Sequence, residues 1–156
     1  MNLTQEKQGF FYGLAPMEGV GEFPVRLWFY MLSGVQVMTT PFLRVTETFP
    51  TQKAPPETWA PEIFNLKIKE SLPWRKTTPQ LMASCSRRFV EVALSLYERT
   101  GEVELNCGCP SSKVVGHGAG SSLLKDPQKF ATFLEDICQG LPEGSLSVKM
   151  RLGYHE

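Results

Sequence analysis

Short apolar or β-branched runs alternate along this chain with longer amphipathic ones, and that alternation leaves few folds open. Residues 12–17, 35–40, 80–83, 103–107 and 146–151 read as strands. Between them lie helical patterns. Phe23, Leu27, Tyr30 and Met31 fall on one side of a helix expected over 22–33, and Gly34 stops it. Phe89, Val92, Ala93, Leu96 and Tyr97 recur at three and four over 86–100, before Gly101. Asp126-Pro127 starts a third helix in N-cap and N1 positions, running to about residue 139. The span 46–78 is polar and Pro-rich, broken at Pro55-Pro56, and is expected to be mostly loop with a candidate helix over 61–70.

Repeated β-then-α means parallel strands joined by helical crossovers. In such α/β proteins the C-terminal ends of the strands form the functional face. No Gly-rich turn follows the first strand, as a dinucleotide-binding sheet would require, so the pattern favours a (β/α)8 TIM barrel. A closed barrel takes eight units in about 250 residues. About five are present in these 156 residues. Residues 1–156 are therefore expected to be the N-terminal part of one barrel domain, truncated after its fifth strand.

Composition excludes some classes of function. No run of about 18 apolar residues occurs, so no membrane partner is expected. The stretch MNLTQEKQGFFYG lacks the basic start and apolar core of a secretory signal, and the Asn2-Leu3-Thr4 sequon is read as chance. Four scattered cysteines, Cys85, Cys107, Cys109 and Cys138, suit reduced thiols and a cytoplasmic location. Sixteen Lys plus Arg balance sixteen Asp plus Glu, so a nucleic-acid partner would need a local basic patch or a basic neighbouring domain.

The chemistry concentrates in Glu104-Leu-Asn-Cys-Gly-Cys-Pro110 and the Gly-rich run to Gly120. Cys107-x-Cys109 is a poor zinc site, since structural zinc takes four ligands, usually as two spaced pairs; no metal is expected. Cys85, Cys107 and Cys138 read as packed thiols. Cys109 lies beyond a strand end and before Pro110, where a thiol is presented rather than packed. An ordinary thiol, titrating at about 8.5, is mostly protonated at neutral pH and can give a proton to a carbanion. Gly116-His-Gly-Ala-Gly120 lacks the Lys-Ser/Thr end of a phosphate loop. It reads either as a mobile loop with positive φ angles or as a backbone cradle for phosphate. Lys149 and Arg151 alternate on a strand and should face the same way, towards an anion or polar ligand. Asn106 is an amide near the barrel mouth, able to read a base edge or to close a loop.

Five motifs in order carry a resemblance: Leu14-Ala-Pro-Met-Glu-Gly19, Gln80-Leu81, Glu104-Leu-Asn-Cys-Gly-Cys-Pro110, Leu123-Leu-Lys-Asp-Pro127 and Ser147-Val-Lys-Met-Arg-Leu-Gly153. Together they resemble the tRNA-dihydrouridine synthases, nearest to the bacterial C subfamily that modifies uridine 16 of the D-loop. The resemblance implies an FMN-binding TIM barrel in which NADPH reduces the flavin and the flavin passes hydride to C6 of a uracil. Cys109 matches the family's general acid at C5, and Cys107 is expected to face away from the site. Ala15, Pro16 and Met17 match the flavin's resting surface, Gln80 a hydrogen-bond partner of its pyrimidine edge, and Lys149 the cation beside the reduced flavin. Asn106 matches the residue that holds the uracil, and Arg151 the substrate-side cation. Lys113 and Lys125 are candidate tRNA phosphate contacts.

Pro41 stands where the C subfamily carries a glutamate that helps orient the tRNA. The resemblance also implies that later strands carry the FMN phosphate loops and that a C-terminal helical domain carries much of the tRNA contact. An isolated chain with open sheet edges is expected to self-associate. Two other readings stand beside this one: another FMN-dependent barrel oxidoreductase, and a tRNA- or protein-binding remnant that holds no flavin.

Overall fold

The computed structural model describes residues 12–51, 55–72 and 76–154. The sequon at Asn2 and nearly all of the N-terminal stretch lie outside these residues. The strands are β1 (Gly13–Leu14), β2 (Val37–Thr39), β3 (Leu43–Val45), β4 (Lys76–Thr78), β5 (Gln80–Ala83), β6 (Val103–Cys107) and β7 (Leu146–Met150). All pairings are parallel: β1 with β2, β2 with β4, β3 with β5, β5 with β6, and β6 with β7.

Seven strands reduce to five runs. β2 and β3 are one run interrupted at Thr40-Pro41-Phe42, and β4 and β5 are one run interrupted at Pro79. Proline has no N–H for the ladder, so each break falls where a donor is missing. Thr40 spans the gap: its N–H donates to the Thr78 carbonyl at 3.0 Å, and its Oγ1 accepts the Gln80 N–H at 3.0 Å. The second run therefore extends past the expected 35–40, and the third begins before the expected 80–83. In chain order the five runs lie side by side, as in the first five units of a (β/α)8 barrel.

The helices follow the sequence pattern. α1 (Phe23–Ser33) has a proline in its first turn and ends on Gly34 at φ 70°. The candidate helix of the Pro-rich span forms in two pieces, α2 (Pro61–Phe64) and α3 (Leu66–Ser71). Asn65 splits them, its side chain capping α3 by accepting the Ile68 N–H at 3.2 Å. α4 (Ser86–Thr100) ends on Gly101 at φ 75°. α5 (Ser112–Val115) and a 3-10 turn (Gly120–Lys125) occupy the Gly-rich stretch. α6 (Pro127–Gly140) starts on Asp126, whose side chain accepts the Lys129 N–H. Among the described residues no helix is long and apolar enough to cross a membrane.

Strand alternation sorts the side chains. Leu43, Val45, Leu81, Ala83, Val103, Leu105 and Cys107 pack against Phe89, Val92 and Leu96 of α4 and Ile137 of α6. The intervening positions, Gln80 and Met82 on β5 and Glu104 and Asn106 on β6, take the opposite face of the sheet. That face carries the polar Gln80, Glu104 and Asn106 beside the apolar Met82.

A buried ion pair ties the Pro-rich excursion to α1. Arg26 is fully buried, and its Nε donates to Glu62 Oε1 at 2.8 Å while its Nη1 donates to the Gly21 carbonyl. Trp59 adds a second tie, its Nε1 donating to the Pro41 carbonyl at 2.9 Å.

Candidate active site

A cavity of about 470 Å³ opens between β1, β2, β6 and β7. Gly13, Leu14, Ala15 and Pro16 line it from β1 and its exit, Val37 and Thr39 from β2, Glu104 from β6, and Val148, Lys149 and Met150 from β7. Three of the expected cofactor contacts, Ala15, Pro16 and Lys149, therefore share one hollow. Met17 stands just beyond, half-buried, its carbonyl accepting the Gly21 N–H at 2.7 Å to close the turn into α1.

Gln80 and Asn106 sit deeper. Strand register places Gln80 beside Glu104, Glu104 beside Ser147, and Asn106 beside Lys149. The amides are linked end to end. Gln80 Nε2 donates to Glu104 Oε1, and Asn106 Nδ2 donates to Gln80 Oε1 at 2.8 Å. Asn106 Oδ1 then accepts two backbone N–H groups, from Gly108 at 3.1 Å and from Cys109 at 3.0 Å. Asn106 thus closes the loop after β6 and, among the described residues, has one Nδ2 proton left over. Gln80 is wholly buried, with its oxygen and one Nε2 proton used inside the protein.

The loop presents Cys109 half-exposed, against a cluster of Met82, Val114 and Ala119. Its carbonyl accepts the Ser121 N–H at 3.0 Å. Gly120, at φ 61°, lies so close that a Cβ there would stand 2.6 Å from the Cys109 carbonyl oxygen. The expected positive φ angles are present at Gly118 and Gly120. Their use differs from a free loop or phosphate cradle, because the Gly-rich run folds back as a brace for Cys109.

Cys107 has the opposite surroundings. It is fully buried in the core between sheet and helices, and burial pushes its thiol up to about 12. It stays protonated and faces away from the cavity. Arg151 lies one residue past the end of β7, exposed, so strand alternation with Lys149 does not extend to it. Lys113 on α5 and Lys125 on the 3-10 turn are exposed, and the Lys125 ammonium stands 4.7 Å over the Tyr154 ring.

The sequence reading passed over Glu104. Burial raises its carboxyl above the usual range, opposed by the hydrogen bond from Gln80 and the positive charge of Lys149, and assisted by Glu102. Its signal lay in the alternation of β6, where Glu104 and Asn106 share one face between buried Val103, Leu105 and Cys107.

The parallel sheet in barrel order places this chain in the class of (β/α)8-type folds. A family profile described as dihydrouridine synthase matches residues 13–156, and the chain belongs to that family. The tRNA-dihydrouridine(16) synthase of Escherichia coli (strain K12) is 33% identical over 150 residues, covering 90% of this chain and 44% of that relative. The protein of the same name from Neisseria meningitidis serogroup A is 30% identical over 158 residues, covering 98% of this chain and 46% of the relative. A probable tRNA-dihydrouridine synthase of Helicobacter pylori is 38% identical over 63 residues, 40% of this chain and 19% of the relative. The chain thus spans less than half the length of these curated relatives.

Proposed function

We propose that the protein containing this chain is an FMN-dependent tRNA-dihydrouridine synthase acting on a D-loop uridine, uridine 16, with NADPH as reductant. The observation that carries this reading is the placement of Cys109. Asn106 holds the loop that presents the half-exposed thiol, and register sets Asn106 beside Lys149 at the cavity wall.

The cavity fits an isoalloxazine. Its volume of about 470 Å³ lies within the range of roughly 300–1,000 Å³ usual for cofactor pockets. Ala15 and Pro16 give an apolar resting surface, Met17 extends it, and Lys149 supplies a cation for the flavin's pyrimidine edge. Gln80, expected at that same edge, is wholly buried and does not line the cavity, so it would support the edge through its hydrogen bonds to Glu104 and Asn106. FMN, when bound and reduced by NADPH, supplies the hydride for C6 of the uracil.

The chain's own residues would do the rest. The remaining Nδ2 proton of Asn106 serves a uracil carbonyl. The Cys109 thiol delivers the proton to C5, so the C5–C6 double bond is lost and a thiolate remains. Arg151, exposed beyond β7, meets the substrate's phosphate or carbonyl. Lys113 and Lys125, both exposed, add two more cations for tRNA phosphates. The zero net charge is compatible with tRNA binding only if such cations are grouped. The reaction's place is the cytoplasm, where thiols stay reduced.

The test is the visible absorption of the purified protein after incubation with FMN and desalting. Retained flavin, reduced or lost in Lys149→Ala, is the expected result. A colourless wild-type protein would favour a flavin-free binding remnant instead.

A further inference from the structure

We propose that Glu104 is the positioning residue of this site: its carboxylate, matched by the two loop N–H groups at the other end, holds the Gln80 and Asn106 amides in one direction and so steadies the loop that carries Cys109. The role deepens the reading of Cys109 as a proton donor.

An amide side chain has a donor end and an acceptor end, and rotation by half a turn exchanges them. Gln80 and Asn106 are therefore two switches in series. Each must be set correctly for Asn106 to offer its oxygen to the Gly108 and Cys109 N–H groups. An ionised carboxylate accepts only. With Glu104 at the end of the series, Gln80 must turn its Nε2 towards it. Gln80 Oε1 then faces Asn106, which must answer with Nδ2. Asn106 Oδ1 is left to face the loop, where the two N–H groups can only donate. All three links have one polarity.

Burial makes the setting matter. Gln80 is fully buried and Asn106 nearly so, and a reversed amide there would set like against like with no water to intervene. The brace behind Cys109 does not set this polarity. The Ser121 N–H binds the Cys109 carbonyl, while Asn106 alone among the described residues binds the Cys109 N–H. Glu104 also lines the cavity, so its carboxylate is placed both to hold the amides and to face whatever enters.

The experiment reads the loop directly in the full chain, without catalysis, so its failure is separate from failure of the functional reading. Amide hydrogen exchange at Gly108 and Cys109 is measured in wild type, Glu104→Gln and Glu104→Met. Glu104→Met removes the acceptor at similar length, and exchange at both positions should rise about three- to tenfold, the range commanded by one lost hydrogen bond. Glu104→Gln can still accept from Gln80 and should stay near wild type. Unchanged exchange in Glu104→Met, or equal loss in both variants, overturns the proposal.

A polarity swap covers the case in which Glu104→Met does not fold. Gln80→Glu alone sets two carboxylates face to face and should loosen or unfold the loop. Adding Glu104→Gln lets the new glutamine donate to the new glutamate, whose second oxygen can take Asn106 Nδ2. Recovery of folding and of slow exchange in the double variant supports the relay. A double variant no better than Gln80→Glu overturns it.

Discussion

Cys107 and Cys109 stand two residues apart and meet opposite surroundings. The first lies in the helix-facing core, its thiol pushed up to about 12, and the second is half-exposed on the loop after β6. The sequence made this difference readable, because a strand end and Pro110 separate a packed position from a presented one. It did not reveal the carboxylate below them. Glu104 looks like an ordinary strand residue until the pairing with β5 brings Gln80 against it, and that pairing is long-range. Its titration gives a prediction. Burial holds the carboxyl above its ordinary 4.5, with Lys149 and the Gln80 amide opposing and Glu102 reinforcing. A group raised in the folded state contributes stability below its unfolded value and loses it as pH rises through the folded value. Glutamine does not titrate. The stability of Glu104→Gln relative to wild type, from urea melts, should therefore rise between about pH 4 and pH 7. A difference that is flat or falls across that window would contradict the assignment.

At the scale of elements, prolines explain most of what the sequence left unread. Pro41 and Pro79 break two strand runs, and a reader of periodicity stops at each break although the run resumes beyond it. The Pro-rich span hid a second fact. Glu62 on α2 reaches Arg26 on α1, 36 residues away, and no local pattern announces such a pair. Both side chains are essentially inaccessible to solvent. Removing one partner leaves a buried charge unpaired, which typically costs about 3–5 kcal/mol. Arg26→Met should lower stability by about that amount in denaturant melts. Its effect should exceed that of Glu62→Gln, which leaves Arg26 an oxygen acceptor. A loss within about 0.5 kcal/mol, as for an ordinary surface change, would mean that the excursion is not anchored by this pair.

Across the molecule, the five-run sheet in barrel order was legible because βα alternation is a property of the whole sequence. The motifs placed Ala15, Pro16, Asn106, Cys109 and Lys149 near strand ends; in the structure Ala15, Pro16 and Lys149 line one hollow, and Asn106, beside Lys149 in the sheet, accepts the Cys109 N–H. Among the described residues β1 and β7 each pair on one side only, so two edges offer unpaired backbone groups. The 156-residue chain taken alone should self-associate in size-exclusion chromatography. A monodisperse monomer with a cooperative melt would contradict that expectation.

The role of Cys109 is read most directly from dihydrouridine at position 16 of unmodified tRNA, by mass spectrometry, after incubation with the full-length protein, FMN and NADPH. Wild type should form product and Cys109→Ala at least about a hundredfold less, the low end of what a general acid supplies, with NADPH still reducing the bound flavin in both. Product from Cys109→Ala at the wild-type rate would remove Cys109 from the proton-donor role.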